Sequence, residues 1–310
     1  MQDIRFYLAQ GNVLIADGAT GTMMQSLGLP PGAPPELWNV DEPDNVRTLY
    51  RTYLEAGSQV ILTNSFGGSR VKLQRAGDMG DRVQELNRAA AELARQAVGE
   101  DAYVAGDMGP TGELMEPFGA LSYRDAVDAF AEQAGALTEG GVDLIWIETM
   151  SDLGEARAAV EGAHRATNLP VFCSLSFTGS GRTMMGVTPT QAAEALWPLG
   201  LLAIGANCGE GIKVIEPVLI EFGAALPQAA LIAKPNAGLP HLEDGVTVFD
   251  LGPDAFATHA PRFVELGARV VGGCCGSSPQ HIAALAAVIK KIRVCVKKDE
   301  HRSKKGSQDE

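Results

Sequence analysis

Three cysteines carry the clearest chemical potential in this chain of 310 residues. They are Cys208, in AIGANCG, and the adjacent pair Cys274 and Cys275, in VVGGCCG. Neighbouring cysteines seldom bridge to one another, because a disulfide across a single peptide is strained. If the fold brings the pair to Cys208, three thiolates with one vacant position make a catalytic zinc site rather than a closed structural one. Gly209, Gly272, Gly273 and Gly276 flank the sulfurs and would let backbone and ion approach closely. Spacing alone leaves a plainer reading open, in which the three are buried thiols without metal. The other two of the five cysteines, Cys173 and Cys295, lack such surroundings and read as structural. Five is also too few, and odd, for a disulfide framework.

Residues so far apart can meet only if the fold gathers distant segments at one place. Eight short β-branched runs recur along the chain: 13–18, 60–66, 103–109, 144–149, 171–177, 203–209, 231–238 and 270–276. Helical periodicity fills the intervals, over 45–56, 82–98, 123–139, 153–167, 189–199, 212–222, 253–266 and 279–291. This alternation predicts a single α/β domain over residues 1–292, a (β/α)8 TIM barrel, a fold that typically needs about 250 residues. Each run ends in polar or glycine-rich residues: Asp17, Asn64, Asp107, Glu148, Ser176, Cys208, Asn236 and the Cys274–Cys275 pair. In a barrel these ends share one face, where the loops build the active site. Loops are polar for ordinary reasons too, so no single one of these residues carries the argument.

The segment 27–45 is rich in proline and glycine and too long for an ordinary strand-to-helix loop, so it is expected to cover the mouth. Residues 293–310 are charged and without apolar period, and read as a disordered tail. With 38 acidic against 25 basic residues the net charge is −13, a field that repels nucleic acid and anionic membranes. No apolar run reaches the roughly 18 residues of a spanning helix, and the start lacks a basic leader. A cytoplasmic protein is the expectation. Barrels often pair, so a homo-oligomer is compatible, but nothing in the chain fixes an interface.

Seven segments, ADGATGTMMQ (16–25), ILTNSFGG (61–68), GPTGEL (109–114), LIWIET (144–149), GANCGEG (205–211), PNAGLP (235–240) and GGCCGSSPQHI (272–282), together resemble the homocysteine S-methyltransferase family. That family includes betaine-dependent and S-methylmethionine-dependent enzymes and the homocysteine module of cobalamin-dependent methionine synthase. The likeness runs from about Val13 to Lys291. It implies that Cys208, Cys274 and Cys275 bind Zn2+ and are the catalytic residues, the bound homocysteine being methylated to methionine. It implies further that Glu148 and Asp17 hold the substrate's ammonium. The backbone at Gly18, Ala19 and Thr20 would serve its carboxylate, and Asn236 would sit near the metal. Asn207 would orient Cys208, and His281 reads as a surface or capping residue. Salt bridging at Glu148 and a turn or cap at Asp17 are the plainer alternatives.

The methyl donor divides the family. A betaine-like onium needs an aromatic cage, for which Trp38, Phe66, Phe118 and Trp146 are the candidates near the mouth. Trp146 and Glu148, two apart on a strand, share a face. Phe66–Gly67 and Thr149 stand where the animal betaine enzymes place tyrosines, wording closer to bacterial cobalamin-dependent synthases. No folate or cobalamin segment follows the barrel here, so a corrinoid donor would arrive on a separate protein. A small onium donor is the expectation, with the homocysteine-activating subunit of a split methionine synthase as the alternative. A non-catalytic barrel with a structural zinc is the alternative of another class.

Overall fold

The computed structural model describes the backbone at residues 1–30, 32–243 and 246–306, and side chains there except at 243, 246 and 293–306. Eight strands are arranged around an axis: β1 (Leu14–Ile15), β2 (Val60–Leu62), β3 (Tyr103–Met108), β4 (Leu144–Met150), β5 (Val171–Leu175), β6 (Ala203–Cys208), β7 (Ala230–Pro235) and β8 (Ala268–Val271). Every neighbour pairs in parallel, from β2 through to β8 and from β8 back to β1. A parallel bridge between Ala16 and Val60 closes the ring. The fold is therefore the (β/α)8 barrel that the alternation predicts.

Strand alternation decides what faces the axis. On β4, Leu144 and Trp146 belong to the interior cluster while Ile145 and Ile147 pack under the surrounding helices. On β7, Ile232 is interior and Leu231 and Ala233 face outward. Glu148 and Lys234, two residues beyond Trp146 and Ile232, accordingly top the interior at its carboxyl end. Asp107 stands in the same relation to Tyr103 and Ala105 on β3. At the opposite end, a helix over Ile4–Ala9 puts Ile4 and Leu8 into the interior cluster and closes the floor. The Tyr103 hydroxyl donates to the carbonyl of Gln2 at 2.7 Å, fastening this plug.

Half of the helices fall within a residue or two of their expected ends, such as Tyr123–Glu139 and Leu153–Ala166. The stretch expected as one helix over 253–266 is broken into Pro253–Ala257 and Ala260–Glu265. Pro261 lacks the N–H that would continue the first helix, so a second one starts there. An antiparallel hairpin, Pro240–Glu243 with Val246–Phe249, follows β7 in an interval to which the sequence pattern assigns no element. The last helix is Pro279–Gly306. Residues 307–310, and all side chains of the expected tail 293–310, lie outside the described residues. Among the described residues no helix is long and apolar enough to cross a membrane.

Candidate thiolate and carboxylate site at the barrel mouth

The sulfurs of Cys208, Cys274 and Cys275 lie within 4.8 Å of one another, and those of Cys208 and Cys275 are 4.0 Å apart. Cys208 ends β6 in the left-handed region, at φ 58°, and Gly209 follows at φ 69°. A Cβ on Gly209 would stand 2.2 Å from the Phe177 carbonyl oxygen, so this exit from the strand requires glycine. Thr149, just past Glu148, is also left-handed, at φ 63°. Such backbone is uncommon outside glycine and must be held by its surroundings.

Asn207 does the holding. Its Oδ1 accepts from the Thr149 N–H and the Ser174 hydroxyl, both at 2.8 Å, and its Nδ2 donates to Thr149 Oγ1 at 2.7 Å and to Cys274 Sγ at 3.8 Å. One amide thus ties β4, β5 and β6 to the cysteine pair, a wider task than orienting Cys208 alone. The pair is seated from the other side by the Cys274 N–H donating to the Pro235 carbonyl at 2.8 Å and the Ala237 N–H donating to the Cys275 carbonyl at 3.0 Å.

The thiols divide one negative charge unevenly. Hydrogen bonds from Cys274 and then Cys275 hold Cys208 down to about 3, while bonding to that thiolate pushes Cys274 up to about 11 and Cys275 higher still. Removing the remaining protons needs a cation. Zinc suits the donor set: a Zn–S distance of about 2.3 Å in tetrahedral geometry separates ligand sulfurs by about 3.8 Å, close to the 4.0 Å found. Among the described residues no fourth His, Cys, Asp or Glu joins the group, so a zinc held by these three sulfurs would have room for an exchangeable ligand, as a closed structural site would not. Cys173 is elsewhere, buried in β5, where desolvation pushes its thiol up to about 12.

A second polar group adjoins the thiols. Lys234, 2% exposed, places Nζ 3.2 Å from Glu148 Oε2, 3.7 Å from Asp17 Oδ1 and 4.8 Å from the centre of the Trp146 ring. Asp17 Oδ2 accepts from the Leu62 N–H at 2.8 Å. Burial, opposed chiefly by Lys234, pushes the Asp17 carboxyl up to about 7. Glu148 and Asp107 are also raised by burial, Asp107 strongly. Asp107 Oδ1 is buried without a hydrogen-bond partner. The sequence reading passed over Lys234, although a lone charge in an apolar strand, on the parity that faces the axis, was the available sign.

Both groups open into a cavity of about 600 Å3. Gly18, Ala19, Thr20, Glu148, Cys208, Cys274 and Cys275 line it, as do Asp107 and Lys234. Asp17, expected at the substrate, and Asn236, expected near the metal, are not among the lining residues, although Asn236 does lie beside Cys208. Asp17 lies beneath Lys234, and Asn236 donates through Nδ2 to the Gly209 carbonyl at 2.9 Å, leaving its buried Oδ1 unpartnered. The Ala19 N–H is taken by the Ser277 carbonyl at 3.1 Å, so of the three expected backbone donors only Gly18 and Thr20 find no acceptor among the described residues.

The expected aromatic cage does not assemble. Phe66 lines the cavity, but Lys72 Nζ already stands 4.7 Å above its ring. Trp146 is sealed in the barrel interior, Trp38 packs on the helical shell, and Phe118, 79% exposed, borders a separate groove with Leu114 and Met185. The segment 27–45 does form a wall of the cavity, through Leu29, Ala33, Pro34, Pro35 and Glu36. Asn64 anchors that wall, its Nδ2 donating to the Pro35 carbonyl at 2.7 Å. His281 is buried and not at the surface, accepting from the Ser278 N–H at its helix start.

Barrel and site together define a class: a (β/α)8 protein with a three-thiol group able to hold a metal at its open face. A sequence model described as homocysteine S-methyltransferase matches residues 14–289, and the chain belongs to that family, a family of methyltransferase enzymes. Methionine synthases of Mycobacterium tuberculosis (strain ATCC 25618 / H37Rv) and Mycobacterium leprae (strain TN) are each 34% identical to it, over 91% and 93% of this chain. The chain spans 25% of the length of each. Among solved structures, the Escherichia coli homocysteine methyltransferase MmuM superposes with a TM-score of 0.78 in its oxidized form and 0.77 in its metallated form. Both are 23% identical, with 93% and 92% of this chain and 99% of that one covered. The likeness to them is one of fold.

Proposed function

We propose that the chain methylates homocysteine to methionine, with Cys208, Cys274 and Cys275 holding Zn2+. Zinc bound there supplies positive charge and one exchangeable position, which lower the pKa of an incoming thiol. The observation that carries the reading is the joining of two groups in one cavity, thiols at one side and carboxyls at the other. Homocysteine has matching ends.

Glu148 and Asp107 take the substrate's ammonium, since both line the cavity and Asp107 Oδ1 is an unpaired buried acceptor. Asp17 adds its charge from behind Lys234. The N–H groups of Gly18 and Thr20 donate to the carboxylate. Asn207 keeps Glu148 and Cys274 in fixed relation by bridging Thr149 to the sulfur. The Pro-rich wall and the plugged floor restrict water to the mouth, strengthening these charge contacts.

The methyl group comes from a donor without positive charge at the ring, a protein-bound methylcorrinoid, as the resemblance to cobalamin-dependent synthases implies. The supporting observation is the place of Lys72: its ammonium occupies the Phe66 face and repels an onium. Cytoplasmic location fits this chemistry. Zinc-loaded protein given homocysteine and, separately, betaine, S-methylmethionine, dimethylsulfoniopropionate or a methylated corrinoid protein tests the reading. Methionine is expected with the corrinoid protein. Methionine from an onium alone would overturn the donor assignment, and none from any donor would overturn the activity.

A further inference from the structure

Lys234 is the cation shared by two of the buried carboxyls. A buried ammonium is costly unless paired, and loss of either partner leaves an uncompensated charge. Here one ammonium, resting on the face of Trp146, serves two carboxyls and touches a single oxygen of each: Glu148 Oε2 and Asp17 Oδ1. Asp17 is fixed again through Oδ2 by the Leu62 N–H. Glu148 has no such second tie. Its Oε1 accepts no hydrogen bond among the described residues, and Lys234 is the side chain that sets its direction.

The count of charges at this end is uneven: three carboxyls, Asp17, Asp107 and Glu148, face one lysine. Acceptor capacity is left over on two cavity-lining residues: Glu148 through Oε1, and Asp107, whose carboxylate accepts no hydrogen bond among the described residues and whose Oδ1 is a buried orphan. An arrangement with fewer cations than carboxyls, and with unpaired acceptors, suits a further ammonium and disfavours a ligand without one. We infer that Lys234 is a positioning residue for the acceptor's amino group, pulling Glu148 by one oxygen so that the other points at the ligand. The inference rests on the proposed homocysteine reading and assigns selectivity for an amino acid over a plain thiol to Lys234.

The test uses the full chain loaded with zinc and compares binding of homocysteine with that of 4-mercaptobutanoate, its analogue without the amino group, by calorimetry. Lys234→Met keeps the aliphatic packing on Trp146 and removes the charge. It is expected to weaken homocysteine binding by about tenfold or more while hardly moving the analogue, with metal content unchanged. Lys234→Arg should recover part of the preference. Unchanged homocysteine binding in Lys234→Met, or an equal loss for both thiols, would overturn the inference. Should Lys234→Met not fold, the double variant Lys234→Met with Glu148→Gln removes both charges of the pair. That variant should bind the two thiols alike, and a preference as large as that of the unaltered chain would overturn the inference. If the unaltered chain binds homocysteine no better than the analogue, the homocysteine reading itself fails, and the inference with it.

Discussion

The two ends of the cavity are built on opposite plans. At the thiol end, Cys208, Cys274 and Cys275 form a cluster that could take a cation from outside. At the carboxyl end, the chain supplies a cation of its own, Lys234, and leaves only part of the charge unpaired. A group that awaits an ion shows its residues in the sequence as an unusual cluster of one type. A group that compensates itself is assembled from residues that look ordinary one at a time.

The largest way to separate the two ends is to remove a sulfur. Cys208→Ala, Cys274→Ala or Cys275→Ala is expected to release zinc and lower methionine formation by about a thousandfold or more, because two thiolates make a poorer site. Metal analysis beside turnover checks it, and a variant that kept both would remove that cysteine from the metal. Asn207→Ala should blur the comparison, since this amide reaches both ends through Thr149 and Cys274. A fall in zinc affinity of about 10- to 100-fold is expected, together with a raised KM for homocysteine. Competition with a zinc chelator and steady-state kinetics would show whether both ends respond, and a response at one alone would mean that they are independent.

Glu148→Ala confines the damage to the carboxyl end, raising KM for homocysteine by about tenfold with zinc retained. Zinc loss there would move Glu148 to the other group. The smallest effect expected concerns pH. Burial lifts Asp17 from 3.8 to about 7, so it is mostly neutral below that value and anionic above it. Attraction for the ammonium should therefore strengthen as pH rises from 6 to 8, lowering KM by a few-fold. Deprotonation of homocysteine's own thiol acts in the same direction, so the Asp17 part is the portion of the slope that disappears in Asp17→Asn. An unchanged slope in that variant would assign it entirely to the thiol.

Much of this is legible in the sequence itself. Alternating strand and helix periods gave the barrel, because a fully buried parallel strand writes itself as a β-branched run, and the cysteines stood out by type and flanking glycines. What escaped notice depended on tertiary facts. The Ile4–Ala9 plug is too short for a clear period, and the 240–249 hairpin is hidden in what reads as a loop. Phe66, Trp38, Phe118 and Trp146 are all expected near the mouth, yet packing sends them to four different surroundings. Lys234 was visible as an anomaly but gains meaning only when β7 stands across the axis from β4.

The plugged floor has a consequence for the order of events. Ile4 and Leu8 shut one end of the tube, so whatever takes the methyl group and whatever gives it must share a single doorway. On the proposed function the acceptor would lie at the bottom of that passage with the giver outside it. The first to arrive would then be the last able to depart, and a bulky giver would close the entrance until it withdrew.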